Sequence, residues 1–536
     1  MSLSAVPTTV AHGIVPLDWL VLGTYFAVIV ASGIWFSRKK QSSTDDYFKG
    51  SGKLPSWAVA VSIVATSLSA ATFLGVPESS YTGDLTYLST NIGMIVASVI
   101  IAFLFIPAFY KHSVGSIYEL LEHRFGPSAC KTASAAFLLG RLLASGARLY
   151  LIAIPLTLIL FGADSELSLS SVGVSVAIVT FVGIMYTLIG GISSVIWTDV
   201  VQYCVLVGAG IAAVLLVYLR LEIPLSDVTS SLATGNDGKS KLGVINTSLD
   251  PRLPFTIGTA LIGFTVLGIG SYGTDQDLAQ RMLTCKNARA GSTSVIAGIF
   301  LGIPTVAVFL AVGLALWVYY NHPEFFGRTP AMHAADDSRK VFLVFIMSEM
   351  PAGMTGLMIA GLFAAGLSSV NSAMNAMSAA FINDFYKPLV QNKRPEHYVR
   401  AGRFGVIIFG VILGCFALFC VVWQQADGRH QQSSPLLNFA LGVMAFAYAG
   451  LVPAFLTAIL TKRGTSTSII AAIVTGFVIT AFLQPALWPE EVHTSDSGAT
   501  GLLSVILSLH FTWRLCIAST VSFAIAILPR GESRDA

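Results

Sequence analysis

Long apolar segments alternate with short polar segments along most of the chain. A bilayer core about 30 Å thick is crossed by about 20 apolar helical residues, and about thirteen segments meet that length. They lie near residues 17–36, 57–80, 87–110, 130–161, 170–190, 195–219, 254–275, 293–320, 350–384, 402–424, 434–460, 466–487 and 503–528. The pattern therefore predicts an all-α integral membrane protein with about 13 transmembrane helices.

The composition supports the same class of protein. Of the 536 residues, 54% are hydrophobic and 11% are charged, whereas about 25% are charged in a typical soluble domain. A formal net charge of +3 is too small for binding a polyanion. We therefore exclude a soluble enzyme, a disordered regulator and a nucleic-acid binder.

The positions of charged residues predict the orientation of the chain. Basic residues collect in every second loop, for example at residues 38–40, 281–289 and 530–534, and acidic stretches at 164–166 and 490–491 fall in the other loops. Short cytoplasmic loops carry an excess of Lys and Arg. We expect an uncleaved first span, an N-terminus outside and a C-terminus in the cytoplasm, in a bacterial plasma (inner) membrane.

The number of spans is consistent with an inverted repeat. If the first span is peripheral, the next ten divide into two sets of five, and because five is odd the second set crosses the membrane in the opposite sense. Residues 1–50 would hold the peripheral helix and an inner loop, and residues 51–220 the first repeat. Residues 221–460 would hold the second repeat with an outer loop at 221–252, and residues 461–536 two C-terminal peripheral helices and a short tail.

The leading helix of each set is rich in small residues. The two segments read VSIVATSLSAATFLGVP and IGFTVLGIGSYGTD, and the second contains Gly268 and Gly270. Small residues also allow close packing of membrane helices. Their occurrence at corresponding positions nevertheless favours broken first and sixth core helices, with a binding site at the breaks.

Polar residues within the spans are candidate cation ligands. Asp199, in YTLIGGISSVIWTDVVQ, either caps a helix at the interface or binds a cation. Ser368, Ser369 and Ser372, with Asn371 beside them, lie in one segment, and Ser368 and Ser372 share a helix face. Their oxygens are hard ligands suited to Na⁺, although serines in membrane helices also bond to the carbonyl of the preceding turn.

Two arginines lie in the middle of one span. Arg141 and Arg148 occur in LLGRLLASGARLYLIAIPL, and a separation of nearly two helical turns puts them on about the same face. A buried guanidinium suits a carboxylate partner. That partner is either part of a solute or part of the helix bundle.

Four segments resemble the solute:sodium symporter family, whose members include glucose, proline, iodide and sialic acid symporters. They are DDYFKGSGKLPSWAVAVSIVATSLSAATFLGVP, YTLIGGISSVIWTDVVQ, GTDQDLAQRMLTCK and AAGLSSVNSAMNAMSAAFINDFYKP, and the similarity runs from about residue 45 to about residue 460. The resemblance implies a LeuT-type fold of two inverted five-helix repeats, with one helix before them and two after.

The resemblance also implies sodium sites. At the main site the ligands would be the carbonyls of Ala65, Leu68 and Ala365 and the hydroxyls of Ser368 and Ser369. Some members have a second site nearer the cytoplasm.

Counterparts of that second site here would be Asp199, Ser368, Ser369, Ser372 and Asn371. Asn371 departs from the serine expected in the two-sodium members, which leaves a second ion open.

Solute contacts in the family come from the unwound first helix and its neighbours. The matching positions are Ser67, Ser69, Thr72, Tyr87, Asn91 and Arg141. Arg141 falls where acid-transporting relatives place an arginine. Arg148, Gly268 and Gly270 are further candidates, and Arg148 has a structural role as its alternative.

We therefore predict a secondary active symporter, not an enzyme, in which inward Na⁺ flow drives import of a small polar solute by alternating access. The solute is predicted to be an organic anion, namely a sialic acid, a sugar acid or a monocarboxylate. A neutral sugar or an amino acid such as proline is the alternative. Na⁺ is the only cofactor expected. The protein would lie in the lipid bilayer, and neither a nucleic acid nor an obligatory protein partner is implied.

Other classes of function have less support in the residues. A membrane sensor would need an output domain, and only a few residues follow the last predicted span. The sequence contains neither a nucleophile–base pair nor a nucleotide-binding loop that would indicate a membrane enzyme, and no motif indicates a passive channel. Proton coupling through Asp199 stays open, and varying pH and Na⁺ independently would separate it from sodium coupling.

Overall fold

The computed structural model describes residues 14–37, 44–162, 168–235, 238–327, 338–426, 436–488, 492 and 498–528. Within these ranges the chain is helical, with no strand beyond isolated bridges. The charged stretches predicted at 38–40, 164–166, 490–491 and 530–534 lie outside the described residues.

The first half of the chain forms nine helices within those ranges. They are α1 (Pro16–Ser37), α2 (Thr44–Lys49), α3 (Ser56–Ser67), α4 (Ala70–Thr82), α5 (Thr86–Lys111), α6 (Glu119–Phe125), α7 (Pro127–Phe161), α8 (Leu169–Leu219) and α9 (Leu225–Thr234).

The second half forms ten more among the described residues. They are α10 (Thr259–Thr274), α11 (Gln276–Met282), α12 (Ala288–Asn321), α13 (Val341–Glu349), α14 (Met354–Leu389), α15 (Pro395–Ala426), α16 (Leu436–Leu460), α17 (Ser466–Phe482), α18 (Gly498–Ser508) and α19 (Phe511–Ile527).

Many of these helices are long and apolar enough to cross a membrane. In the part of the chain that is described, 8 helices meet this condition, or up to 10 if each of two bent pairs counts as one span. The prediction of an all-helical chain with long apolar spans is confirmed at this level. Such helices satisfy their backbone hydrogen bonds internally, as a lipid environment requires.

The long helix α8 contains a break at Gly191. This residue has φ 58° and ψ −165°, a conformation essentially restricted to glycine. A Cβ atom built there would lie 2.6 Å from the Tyr47 carbonyl oxygen of α2. The break divides α8 into two apolar helices, Leu169–Met185 and Gly191–Leu219.

Helix α14 runs through the centre of the bundle. The most apolar stretch of this helix is 94% buried inside the bundle. The helix packs against α8, α7, α15 and α1. Asp18 of α1 accepts hydrogen bonds from the amides of Gly353 (2.7 Å) and Gly356 (2.9 Å) at the start of α14. A carboxylate at a helix N-terminus is favourable, so this contact fixes α1 to the central helix.

Candidate ion and solute site

The chain leaves helical geometry at Leu68 and Ser69, between α3 and α4. Both residues are extended, and the two helices are bent by 66° relative to each other. The Ser69 amide donates to Thr72 Oγ1 at 3.2 Å instead of continuing the helical hydrogen bonds of α3. The C-terminal end of a helix is electronegative and the N-terminal end electropositive, so the break brings ends of opposite character together inside the bundle.

The hydroxyl of Ser369 on α14 faces carbonyl groups at this break. Ser369 Oγ lies 3.1 Å from the Thr66 oxygen, 3.3 Å from the Leu68 oxygen and 3.4 Å from the Ala365 oxygen. A hydroxyl has only one proton to donate, so the other carbonyls keep lone pairs directed at this point. Carbonyl and hydroxyl oxygens at the end of an interrupted helix suit a hard cation such as Na⁺.

The predicted main sodium ligands are thus brought together in part. Leu68, Ala365 and Ser369 converge, and Ala65 belongs to the last turn of α3, at the same helix end. Ser368 differs, because its hydroxyl donates to Asp199 Oδ1 at 2.6 Å.

Asp199 on α8 lies at the centre of a second polar cluster and is 1% exposed. Besides Ser368, it accepts hydrogen bonds through Oδ2 from Ser62 Oγ at 2.5 Å and from Arg281 Nη2 at 3.2 Å. The same Arg281 nitrogen donates to Ser372 Oγ. Asp199, Ser368 and Ser372 of the predicted second sodium site therefore share their position with a guanidinium.

Asn371, the remaining candidate of that site, has a different environment. Its Oδ1 would lie 3.0 Å from a Cβ atom added at Gly183 of α8, and it accepts no hydrogen bond from the described residues. The amide oxygen therefore faces Gly183 of α8.

A chain of buried ion pairs extends from Asp199 across three helices, α8, α11 and α7. Arg281 Nη1 lies 2.7 Å from Asp277 Oδ1. Arg141 Nη2 lies 3.4 Å from Asp277 Oδ2 and 2.5 Å from Asp275 Oδ1, and the Tyr448 hydroxyl donates to Asp275 Oδ2 at 2.7 Å. We call the five charged residues (Asp199, Arg281, Asp277, Arg141 and Asp275) the ion-pair chain.

The ion-pair chain depends on a second interruption, between α10 and α11. Asp275 has an extended backbone, and its side chain accepts a hydrogen bond from the Asp277 amide at 3.0 Å as the N-cap of α11. The i,i+4 spacing on α11 then brings Asp277 against Arg281. A short helix after the interruption thus carries both charges into the bundle.

A cavity of about 110 Å³ lies beside the break between α3 and α4. All six predicted solute positions line it, namely Ser67, Ser69, Thr72, Tyr87, Asn91 and Arg141, and so does Arg148. Gly268 and Gly270 are absent from the lining. They serve close packing instead, because an added Cβ atom would lie 2.7 Å from Ala97 Cβ at Gly268 and 2.6 Å from the Tyr448 ring at Gly270.

Sequence reasoning missed several members of the site. It counted Arg281 only among the basic residues of an inner loop, whereas this side chain is 0% exposed and ion-paired. Ser62, Asp275 and Asp277 were not singled out either. The available signal was the spacing of Asp277 and Arg281 in GTDQDLAQR, because opposite charges four residues apart on a helix readily form an ion pair.

This chain resembles known transporters over nearly its whole length. The profile of the sodium:solute symporter family matches residues 47–476. A sodium/sialic acid symporter of Proteus mirabilis is 28% identical over 493 residues, which cover 92% of this chain and 94% of the relative. One of Aliivibrio fischeri is 30% identical over 497 residues, 92% of each chain. A solved structure of a substrate-bound, outward-open Na⁺-coupled sialic acid symporter is similar with a TM-score of 0.75 and 26% identity, and the similarity covers 96% of this chain and 98% of that one.

Proposed function

Because the chain belongs to the sodium:solute symporter family and is therefore a sodium-coupled membrane transporter, we propose that the solute it carries is a small organic anion. The transported class would be a sialic acid, another sugar acid or a monocarboxylate. Relatives named for sodium-coupled sialic acid transport support this class. Import by alternating access would use the inward Na⁺ gradient.

One observation carries the proposal. The cavity lined by the six candidate solute residues adjoins the carbonyls that face Ser369. A solute in this cavity and a cation at Ser369 would both contact the interrupted helix α3–α4. Binding of one would therefore stabilise the helix geometry that the other needs, which is the basis of coupling.

The electrostatics of the cavity favour an anion over a neutral solute. Two guanidinium groups, Arg141 and Arg148, line it together with one carboxylate, Asp277, and the N-terminus of α4 begins at Ala70 beside it. Helix N-termini in the broken helices of transporters point at anionic groups of the substrate. A neutral sugar would leave these features without a counterpart.

We further propose one sodium ion per cycle, bound by Ala65, Leu68, Ala365 and Ser369, with Ser368 as the remaining candidate ligand. A second ion at Asp199, Ser372 and Asn371 is disfavoured because Arg281 already donates to Asp199 and Ser372. A guanidinium and Na⁺ would compete for the same oxygens.

The proposed architecture has thirteen spans arranged as a LeuT-type 5+5 inverted repeat. The 8 long helices, the 2 bent pairs and the shorter apolar helices Leu169–Met185, Thr259–Thr274 and Ser466–Phe482 fall on the thirteen predicted segments and support this count. The repeats would occupy residues 51–220 and 221–460, between peripheral segments 1–50 and 461–536. The N-terminus would lie outside and the C-terminus in the cytoplasm.

In this proposal Na⁺ ties α3 and α4 to the central helix α14. Ion binding would hold the outward-facing arrangement only if that state binds Na⁺ more tightly than the inward-facing state. Loss of Na⁺ to the cytoplasm would release the contact at Ser369 and open the route for the solute.

Uptake into proteoliposomes tests the proposed function. The purified chain would be given a labelled sialic acid, pyruvate, glucose or proline with and without an inward Na⁺ gradient. We expect Na⁺-dependent accumulation of one of the acids. Ser369→Ala should raise the Na⁺ concentration for half-maximal uptake about tenfold or more, since about 1.4 kcal/mol corresponds to a factor of ten.

Ser378→Ala is the matched control, because Ser378 is also buried on α14 but donates to the Gly402 carbonyl at 2.7 Å. Its Na⁺ dependence should equal that of the wild type. Accumulation of glucose or proline instead of an acid would contradict the proposal that the solute is an organic anion. An identical Na⁺ dependence of Ser369→Ala and the wild type would reject the sodium site.

A further inference from the structure

One buried amide on the central helix α14 has no hydrogen-bond partner among the described residues. Asn375 is 0% exposed, and neither its Oδ1 nor its Nδ2 atom forms a hydrogen bond within the described ranges. Burial of such a side chain is costly unless a water molecule or an ion solvates it. The amide is therefore free to bind a small polar ligand or an ion.

Asn375 follows the polar cluster around Asp199 along α14. It comes seven positions after Ser368, which is nearly two helical turns, so it projects on the same face as the hydroxyl that donates to Asp199 Oδ1 at 2.6 Å. Asn371, one turn earlier, also has an amide oxygen without a hydrogen bond from the described residues. In the proposed orientation α14 runs inward, so both amides lie between Ser369 and the cytoplasm.

The chemistry of the amide suits a sodium ion in transit. The carbonyl oxygen of an asparagine side chain is a ligand for hard cations. An ion that leaves Ser369 would travel about 9 Å along α14 to Asn375, at about 1.5 Å per residue. An apolar surface over this distance would leave the ion without ligands and raise the barrier to its release. Amide oxygens on the route lower that barrier.

Beyond Asn375 the central helix is covered by α2. Tyr47 and Phe48 of α2 are buried and pack against Ala379 of α14, one turn after Asn375. Gln280 of α11 donates a hydrogen bond to the Phe48 carbonyl, which fixes α2 to the segment that also carries the ion-pair chain. An ion at Asn375 therefore reaches the cytoplasm by this route once α2 moves away.

We propose that Asn375 is a release site for Na⁺, which receives the ion from Ser369 and passes it to the cytoplasm when α2 moves. This inference rests on the proposed function, since it requires a sodium ion at Ser369. A release site affects the rate at which the ion leaves. It does not affect the affinity of Ser369 for the ion, because an equilibrium constant does not depend on the route.

Asn375→Leu tests this assignment, because leucine has a similar volume and no polar atom. In proteoliposomes, the rate of Na⁺-driven uptake of the acid that the wild type transports should fall at least about tenfold. In detergent, the affinities for ²²Na⁺ and for the acid should equal those of the wild type. The midpoint of thermal unfolding should not fall, because an unsatisfied buried amide has been removed.

Thr180→Val is the matched control. Thr180 Oγ1 is also buried without a hydrogen bond in the described part of the chain. It faces α15 instead of the route, because a Cβ atom added at Gly414 would lie 2.9 Å from it. Uptake by this variant should proceed at the wild-type rate.

Asn375→Cys provides a second readout that does not depend on the folding of the leucine variant. Ag⁺ is a monovalent cation that reacts with thiol groups. Applied from the cytoplasmic side, it should stop uptake by Asn375→Cys, and Na⁺ on the same side should slow this inhibition. Thr180→Cys and the wild type, which has six native cysteines, should keep more of their activity.

Uptake by Asn375→Leu at the wild-type rate would overturn the inference, as would equal Ag⁺ sensitivity of Asn375→Cys and Thr180→Cys. A lowered unfolding midpoint of Asn375→Leu together with a weakened Na⁺ affinity would also overturn it, because Asn375 would then have a structural role. In each case the wild type still shows Na⁺-dependent uptake of an acid, so the proposed function stands. A wild type without such uptake would remove both.

Discussion

At the residue scale, Arg281 is the side chain whose burial changes the interpretation of the site most. Its guanidinium forms an ion pair with Asp199 and donates a hydrogen bond to the Ser372 hydroxyl. Asp199, Ser368 and Ser372 would otherwise form a compact oxygen-rich cluster of one carboxylate and two hydroxyls. In the proposed mechanism the arginine stands in for a second coupling ion.

Replacing Arg281 with methionine should therefore make the stability of the protein depend on Na⁺ more strongly than that of the wild type, which binds Na⁺ only at Ser369 in this proposal. Without Na⁺, Arg281→Met should lose about 3–5 kcal/mol of unfolding free energy, because Asp199 becomes an unpaired buried charge. Na⁺ at a hundred times its dissociation constant would restore about 2.7 kcal/mol. The measurement is the unfolding midpoint in NaCl and in choline chloride.

The control for this experiment is the double variant Asp199→Asn/Arg281→Met, which has no carboxylate to bind the ion. Its midpoint should respond to Na⁺ no more than that of the wild type. Equal Na⁺ responses of the single and double variants would show that Arg281 does not occupy a cation site.

At the scale of single elements, breaks in helices build the site. The interruption at Leu68 and Ser69 exposes the carbonyls around Ser369, the one before α11 brings in Asp277 and Arg281, and the one at Gly191 redirects α8 before Asp199. Each break has a local chemical cause. Ser69 and Asp275 cap the helices that follow them, and Gly191 adopts a conformation that other residues avoid.

Gly191→Ala should destabilise the protein by about 1–3 kcal/mol through backbone strain, and the clash of the new Cβ with the Tyr47 carbonyl, 2.6 Å away, adds to this. Gly208 on the same helix is the matched control, since a Cβ there meets nothing within 4 Å. Gly208→Ala should be neutral or stabilising by up to about 1 kcal/mol. Thermal unfolding of both variants in one detergent gives the comparison, and equal midpoints would contradict the role of the break.

At the scale of the whole molecule, the proposed stoichiometry fixes the net charge that crosses the membrane. One Na⁺ with one monovalent anion moves no net charge. Two Na⁺ with one anion, or one Na⁺ with a neutral solute, would move one positive charge per cycle. A potential of 100 mV contributes about 2.3 kcal/mol for each such charge.

Solute accumulation by proteoliposomes should therefore not change when valinomycin and a K⁺ gradient impose about −100 mV inside. With one net charge per cycle, the accumulation ratio at equilibrium would instead rise roughly fiftyfold, as about 2.3 kcal/mol requires. Accumulation measured at a fixed Na⁺ gradient decides between these outcomes. An accumulation ratio that rises strongly with the potential would contradict either the stoichiometry of one sodium ion per cycle or the proposal that the solute is an anion.

Several features of this protein follow from the sequence by itself. Apolar segments long enough to span a bilayer must become helices there, because lipid offers no hydrogen-bond partners to the backbone, so the helical class was predictable. The family resemblance, read from four motifs, is confirmed. The small and hydroxyl-bearing residues around Ser67 and Ser69 also indicated where the first core helix could break, and all six solute positions predicted from the resemblance line one cavity.

Only the tertiary structure decided which charges are partners. The period of a helix determines the face on which Arg141, Arg148 or Arg281 lies, but not which helix faces it. Arg281 and Asp199 meet because α11 and α8 both reach the site, and Arg141 meets Asp275 because the chain is extended after α10. Ion pairing acts over a few ångströms, so the pairing of Arg141 with Asp275 and Asp277 arises only when distant segments pack together.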